Sequence, residues 1–203
     1  MIVYVESNFV LELALLQETH QKCEKLLEQS EAGSVRLVLP ALCLTEPLET
    51  LVRRAKDRRA LAFKLETEVG QLSRTALFEL KRDIVSEITE LLLKSAKDEK
   101  LRLFQKLDKI LKVSEIIPMK PEILLLATDF QNTLKLSPQD SVVYASVVHH
   151  LNTSDDAIPK CFLNRNSKDF GQLNIKETLE RHNCKLLFSF EKGYNYIQSQ
   201  VNP

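Results

Sequence analysis

Four polar clusters, each beside an apolar run, carry the side chains that could do chemistry in this chain. Glu6-Ser7-Asn8 follows Ile2–Val5 directly, and Thr45-Glu46-Pro47 interrupts the apolar stretch from Leu42 to Val52. Ser137-Pro138-Gln139-Asp140 opens a third segment, and Asn164-Arg165-Asn166-Ser167-Lys168-Asp169-Phe170 follows a fourth. Carboxylates gathered from separate segments lose hydration and repel one another, so their convergence is costly unless a cation neutralises them. Hard oxygen donors select Mg²⁺ or Mn²⁺, and Mg²⁺ usually keeps several of its waters. Such a site activates water and stabilises the charge that builds on a phosphate during hydrolysis.

Other chemistries are poorly served. Gly33, Gly70, Gly171 and Gly193 are too scattered to build a G-x-G-x-x-G or Walker A phosphate loop. Cys23, Cys43, Cys161 and Cys184 form no C-x-x-C and lie in apolar or amphipathic stretches, as small buried hydrophobes do. His149, His150 and His182 have no nucleophile motif such as G-x-S-x-G to serve, and His20 falls on an apolar helix face.

The elements that must position these residues are legible as an alternation. Ile2–Val5, Val35–Leu39, Cys161–Leu163 and Lys185–Phe190 are short, nearly continuous apolar runs, which suits strands buried on both faces of a parallel sheet. Between them, Phe9, Leu13, Leu16, His20, Cys23 and Leu27 share one helical face, with Ser7 as its N-cap. Residues 41–58 and Ser141–Leu151 read as two further helices, and Asn174–Arg181 as another. The pattern predicts an α/β fold, a parallel sheet with helices on both faces and right-handed crossovers. Ligands in such sheets bind outside the carboxyl ends of the strands, at a topological switch point. All four polar clusters fall at strand ends or helix starts.

Residues 58–112 break the alternation. Leucines and isoleucines recur there every three or four residues among Lys, Arg and Glu, which predicts two or three long amphipathic helices and no strand. Turns are expected near Gly70–Ser73 and Ser95–Lys100. We read the segment as a helical insertion within a single domain, packed on its core, with a dimerisation or recognition surface as the alternative.

The 203 residues balance 28 Lys and Arg against 28 Asp and Glu, so nucleic acid or an anionic membrane must be held by a local patch. The densest basic run is Arg53-Arg54-Ala55-Lys56-Asp57-Arg58-Arg59, after the helix start that carries Glu46. It could track a phosphate backbone beside an active site or form a solvated helix face. Arg165 and Lys168 are two smaller candidates. No apolar stretch approaches the ~20 residues needed to span a bilayer. Met1 leads into Ile-Val-Tyr-Val-Glu without a signal-peptide pattern, so a reducing cytoplasm is the expected compartment.

These clusters together resemble the PIN-domain family, a fold of parallel strands and helices whose members are mostly Mg²⁺- or Mn²⁺-dependent nucleases. The similarity is carried by Val3–Glu12, by the second-strand-to-helix run up to Glu46, by Leu136–Ser146 and by Phe162–Phe170. It covers roughly residues 1–50 and 113–203. The resemblance implies a metal-dependent endoribonuclease with Glu6, Glu46 and Asp140 as catalytic, metal-binding acids. Asn166 stands where a fourth acid is common, with Asp169 three residues on as a further ligand. Glu6 is one methylene longer than the usual Asp, and Asn166 removes a charge, so one metal is expected rather than two. The resemblance also implies RNA as substrate with DNA as the alternative, a protein inhibitor of the toxin–antitoxin kind, and a homo-oligomer. The rival reading is a PIN-like binding or assembly module with impaired catalysis.

Plain structural uses compete at each position. Asp140 completes a capping box with Ser137 and Pro138, Asn166 shapes a turn, and Asp169 caps the helix at Asn174–Arg181. Ser7 and Asn8 orient Glu6, bind a phosphate oxygen or act as caps. Glu12 reads as solvated or as support behind the acids, and Asp155-Asp156 as an exposed loop.

Overall fold

Apolar alternation builds a three-layer molecule, and the computed structural model describes residues 1–75 and 82–201 of it. Five strands form one parallel sheet in the order β3-β2-β1-β4-β5. They are β1 (Ile2–Val5), β2 (Arg36–Pro40), β3 (Glu115–Ile117), β4 (Lys160–Leu163) and β5 (Cys184–Leu187). Successive strand residues point to opposite faces. Ile2, Tyr4, Val38, Phe162 and Cys184 accordingly pack under α5 (Pro121–Thr133), α6 (Pro138–Leu151) and α8 (Leu173–Arg181). Val3, Val5, Leu37, Leu39, Cys161 and Leu163 enter the opposite core. That core is closed by α1 (Ser7–Leu15), α2 (His20–Glu31), α3 (Leu42–Leu72), α4 (Arg82–Val113) and α9 (Phe190–Val201). A short α7 (Ser167–Phe170) follows β4.

Several expectations need correction. The helical face from Phe9 to Leu27 belongs to two helices, because Leu16 adopts a left-handed conformation (φ 51°) and ends α1. Ser7 is not the cap of α1. Glu6 is, its carboxylate accepting the Asn8 N–H. β3 was not anticipated, since three residues between a long helix and a turn carry almost no periodicity. It joins the edge beside β2 through Val38↔Glu115, Leu39↔Ile116 and Pro40↔Ile117. The last strand stops at Leu187 rather than Phe190, which starts α9 and packs edge-on against Phe9 at 5.9 Å. Gly193 lets α9 lie on β4, for a Cβ there would meet Leu163 Cδ2 at 2.5 Å.

The helical middle is a pair of long helices. α3 continues without a break past residue 58, and α4 runs straight through the turn expected at Ser95–Lys100. Ser95 turns its hydroxyl onto the Leu92 carbonyl at 3.0 Å, and its neighbours Ala96, Lys97 and Glu99 are good helix formers. The first expected turn follows Leu72, whereas Leu77 and Leu80 lie outside the described residues. Leu103 and Ile110 anchor α4 in the core, each burial stabilising by about 1.5–3 kcal/mol. Polar ties add register: Arg102 Nε donates to the Ala14 carbonyl at 2.9 Å, and Lys106 pairs with Glu24 at 2.7 Å. Farther out the pair exposes Leu61, Phe63, Ile84, Ile88 and Leu91.

Candidate functional site

The strand order places a switch point at β1. The chain proceeds from β1 to β2 and β3 on one side, then returns to β4 on the other. The carboxyl ends of β1 and β4 are adjacent, with Val5 paired to Leu163. Glu6 and Asn164 therefore emerge side by side. The N-termini of α3 and α6 open at the same edge and bring Glu46 and Asp140. Together they line a cavity of about 390 Å³ with Ser7, Asn8, Ser137, Gln139, Arg165 and Asn166.

Glu6 is buried, and its carboxylate is held from both sides. Oε2 accepts the Asn8 backbone N–H at 2.8 Å and its side-chain amide at 3.2 Å, and Oε1 accepts the Arg165 N–H at 3.4 Å. The extra methylene that distinguishes Glu from Asp thus reaches back to cap α1. Burial pushes its carboxyl up to about 7 despite those donors, and the Glu46 charge across the cavity pushes the same way. Glu46 accepts a short hydrogen bond from the Ser7 hydroxyl, thirty-nine residues away in sequence. Ser7 therefore orients Glu46 rather than Glu6. Cys43, buried on the same helix, has its thiol pushed up by burial and by the Glu6 charge, so it stays a protonated hydrophobe.

Asp140 completes the capping box expected of it. The Ser137 hydroxyl accepts the Asp140 N–H at 3.1 Å and donates back to Oδ2 at 2.8 Å, while the carboxylate faces the cavity. Asn166 caps α7 by accepting the Asp169 N–H at 3.3 Å. Its amide nitrogen donates to Asp140 Oδ2 at 3.2 Å and to Asp169 Oδ2 at 2.7 Å. Asn166 thus offers N–H rather than oxygen to the acids, tying them as a neutral bridge. Asp169 lies outside the cavity lining and does not cap α8, whose N-cap is Gln172.

The basic candidates scatter. Arg58 forks onto Glu99 at 2.7 and 2.9 Å and holds α3 to α4, so it is not a surface cation. Arg53, Lys56 and Arg59 are exposed on α3 and Arg54 half-buried, all outside the cavity. Arg53 follows Glu46 by two helical turns on the same face, ~10 Å along the axis. Lys168 is exposed on α7. Arg165 alone of the set lines the cavity. Its guanidinium pairs with Glu12, which is fully buried rather than solvated. An acid inside the apolar run Leu11–Leu16 was the available signal for that pairing.

The donor set at this edge is all oxygen and negatively biased, which suits a hard cation. Among the described residues no three His, Cys, Asp or Glu side chains are gathered closely enough to hold a metal ion. Waters or substrate oxygens would therefore complete the shell of an ion held here. Among the described residues no helix is long and apolar enough to cross a membrane.

A family model described as PIN domain matches residues 3–170, and the chain belongs to that family. Among solved structures it is similar to VapBC2 from Rickettsia felis, bound there to a DNA fragment from its promoter. That likeness has 13% identity, a TM-score of 0.43, and covers 92% of this chain and 98% of the other. No curated protein matches the chain.

Proposed function

We propose that this chain is a divalent-metal-dependent nuclease that hydrolyses RNA phosphodiesters at the carboxyl edge of its sheet. One observation carries the reading: Glu6, Glu46 and Asp140 come from three separate segments to one cavity, with no cationic side chain bonded to them among the described residues. Burial, with the facing Glu46 charge, raises the Glu6 carboxyl to about 7, as perturbed carboxyls at functional sites do. Mg²⁺ or Mn²⁺ bound there would neutralise the acids and lower the pKa of a water. Glu6, Glu46 and Asp140 would face the ion, with waters completing its shell, Ser7 orienting Glu46, Asn8 orienting Glu6 and Asn166 steadying Asp140. Attack by water forms a new P–O bond as the P–O bond to the leaving oxygen breaks. Arg53, Arg54, Lys56 and Arg59 on α3, with Lys168, would lie along the path of the flanking phosphates.

Labelled single-stranded RNA, incubated with the protein and Mn²⁺, tests the reading. Cleavage should appear, vanish with EDTA, and fall at least ~100-fold in Asp140→Asn. Equal inactivity of both proteins, with no Mn²⁺ bound by calorimetry, would leave the rival binding-module reading. The neutral Asn166 bridge is the feature that favours that rival.

A further inference from the structure

Glu12 is the least exposed acid near the cavity, and both its oxygens are committed. Oε2 accepts the Thr19 N–H at 2.9 Å, which fixes the carboxylate to the start of α2. Oε1 takes a short, charged hydrogen bond from Arg165 Nη1. A fully buried carboxylate needs such a partner, and losing it would leave an uncompensated charge in the core. Arg165 is meanwhile 45% exposed on the cavity wall, directly after Asn164, and its own N–H reaches Glu6. Nε and Nη2 of its guanidinium have no partner among the described residues.

We propose that Glu12 is a positioning residue whose buried carboxylate aims the Arg165 guanidinium across the cavity mouth, where it clamps a phosphate of the polynucleotide. This rests on the nuclease reading above and adds to it the group that holds the substrate. The guanidinium is planar, permanently charged and forked, so one arm fixed by Glu12 leaves the other donors set in direction toward a phosphate oxygen. An unanchored Arg would have to lose its side-chain freedom on binding. Bonded to Glu12, the guanidinium makes no bond to Glu6 or Glu46 among the described residues and is not their counter-ion. The three acids stay available for a metal ion.

Binding and cleavage separate the two readings. Fluorescein-labelled single-stranded RNA is titrated by anisotropy in EDTA at several salt concentrations, and cleavage is then measured with Mn²⁺. Arg165→Ala should weaken binding about fivefold to tenfold and lower the salt slope by about 0.7. Arg165→Lys should fall between the two, since it keeps the charge and loses the fork. Glu12→Gln, nearly isosteric, should weaken binding about threefold or more, raise KM more than it lowers kcat, and add nothing in the Arg165→Ala background. Arg165→Lys keeps a cation beside the buried Glu12 and decides the matter, by its weaker binding, if Glu12→Gln or Arg165→Ala does not fold. Unchanged binding by Arg165→Ala, or additive losses in the double variant, overturns the clamp alone. A wild-type protein that neither binds nor cleaves RNA overturns both readings.

Discussion

The two ends of the same sheet treat buried charge in opposite ways. At the amino edge Lys160 and Glu115 are both answered. Lys160 is wholly buried, and its ammonium donates to the carbonyls of Asp155, Ile158 and His182 at 2.6, 3.1 and 3.0 Å. Glu115 accepts from Arg36 Nε at 2.6 Å and lies 3.2 Å from His150 Nε2, whose other nitrogen meets the Tyr4 hydroxyl at 2.8 Å. Burial alone would raise the Glu115 carboxyl, but the His150 and Arg36 hydrogen bonds outweigh it and hold it below the ordinary value. At the carboxyl edge Glu6 moves the other way, because backbone and amide donors do not offset burial beside a second acid. Two glutamates at opposite ends of one sheet thus separate a hydrogen-bonded ionic network from a cluster of facing acids.

Breaking the amino edge should cost the most stability. Lys160→Met removes a wholly buried ammonium and its hydrogen bonds to three carbonyls and should lower the unfolding free energy by about 2–4 kcal/mol. Thermal denaturation measures it, and a variant as stable as the wild type would remove the structural half of the comparison. Cleavage per folded molecule should be unchanged.

Glu6→Gln should act in the reverse sense when metal is chelated. Folded, Glu6 keeps its proton up to about pH 7; unfolded, it loses it near 4.5. The stability contributed by the protonated group is full below the unfolded value and is lost as pH rises through the folded one. In EDTA the variant should match wild type in acid and exceed it above pH ~7, by on the order of 3 kcal/mol. Added Mn²⁺ should narrow the gap by stabilising only the wild type. Parallel pH–stability curves would contradict the raised carboxyl assigned to Glu6.

Glu115→Gln should give the smallest change. The depressed carboxyl contributes stability above the ordinary value of 4.5, lost as pH falls through its lower folded value. Both partners are partly exposed, so chemical denaturation should register less than ~1 kcal/mol, and less still in high salt. A larger loss would mean that Tyr4, His150, Glu115 and Arg36 act as one cooperative unit.

Much of this frame was legible before any coordinates. Ile2–Val5 is an uninterrupted apolar run and is a strand, and Ser137-Pro138-x-Asp140 is a capping signature and starts a helix. Glu6, Glu46 and Asp140 stood out as acids at the ends of apolar elements. What escaped was set by contacts distant in the chain. Glu115–Ile117 is a strand because β2 offers an open edge, and the basic run lost Arg58 to Glu99 on the neighbouring helix. Glu12 read as solvated or as support behind the acids, and the choice lay with a partner 153 residues away.

By itself, then, the sequence determined the α/β alternation, most of the helices and four of the five strands, which faces are apolar, and which acids sit where elements begin and end. Those properties follow from neighbours within a turn or a pleat. Only the tertiary structure decided that Ser7 meets Glu46, that Asn166 turns N–H groups rather than oxygen to Asp140, and that Arg165 is moored to Glu12. The order of strands, not the order of residues, brings the ends of β1 and β4 together at the switch point, and the charges gathered there have no counterpart along the chain.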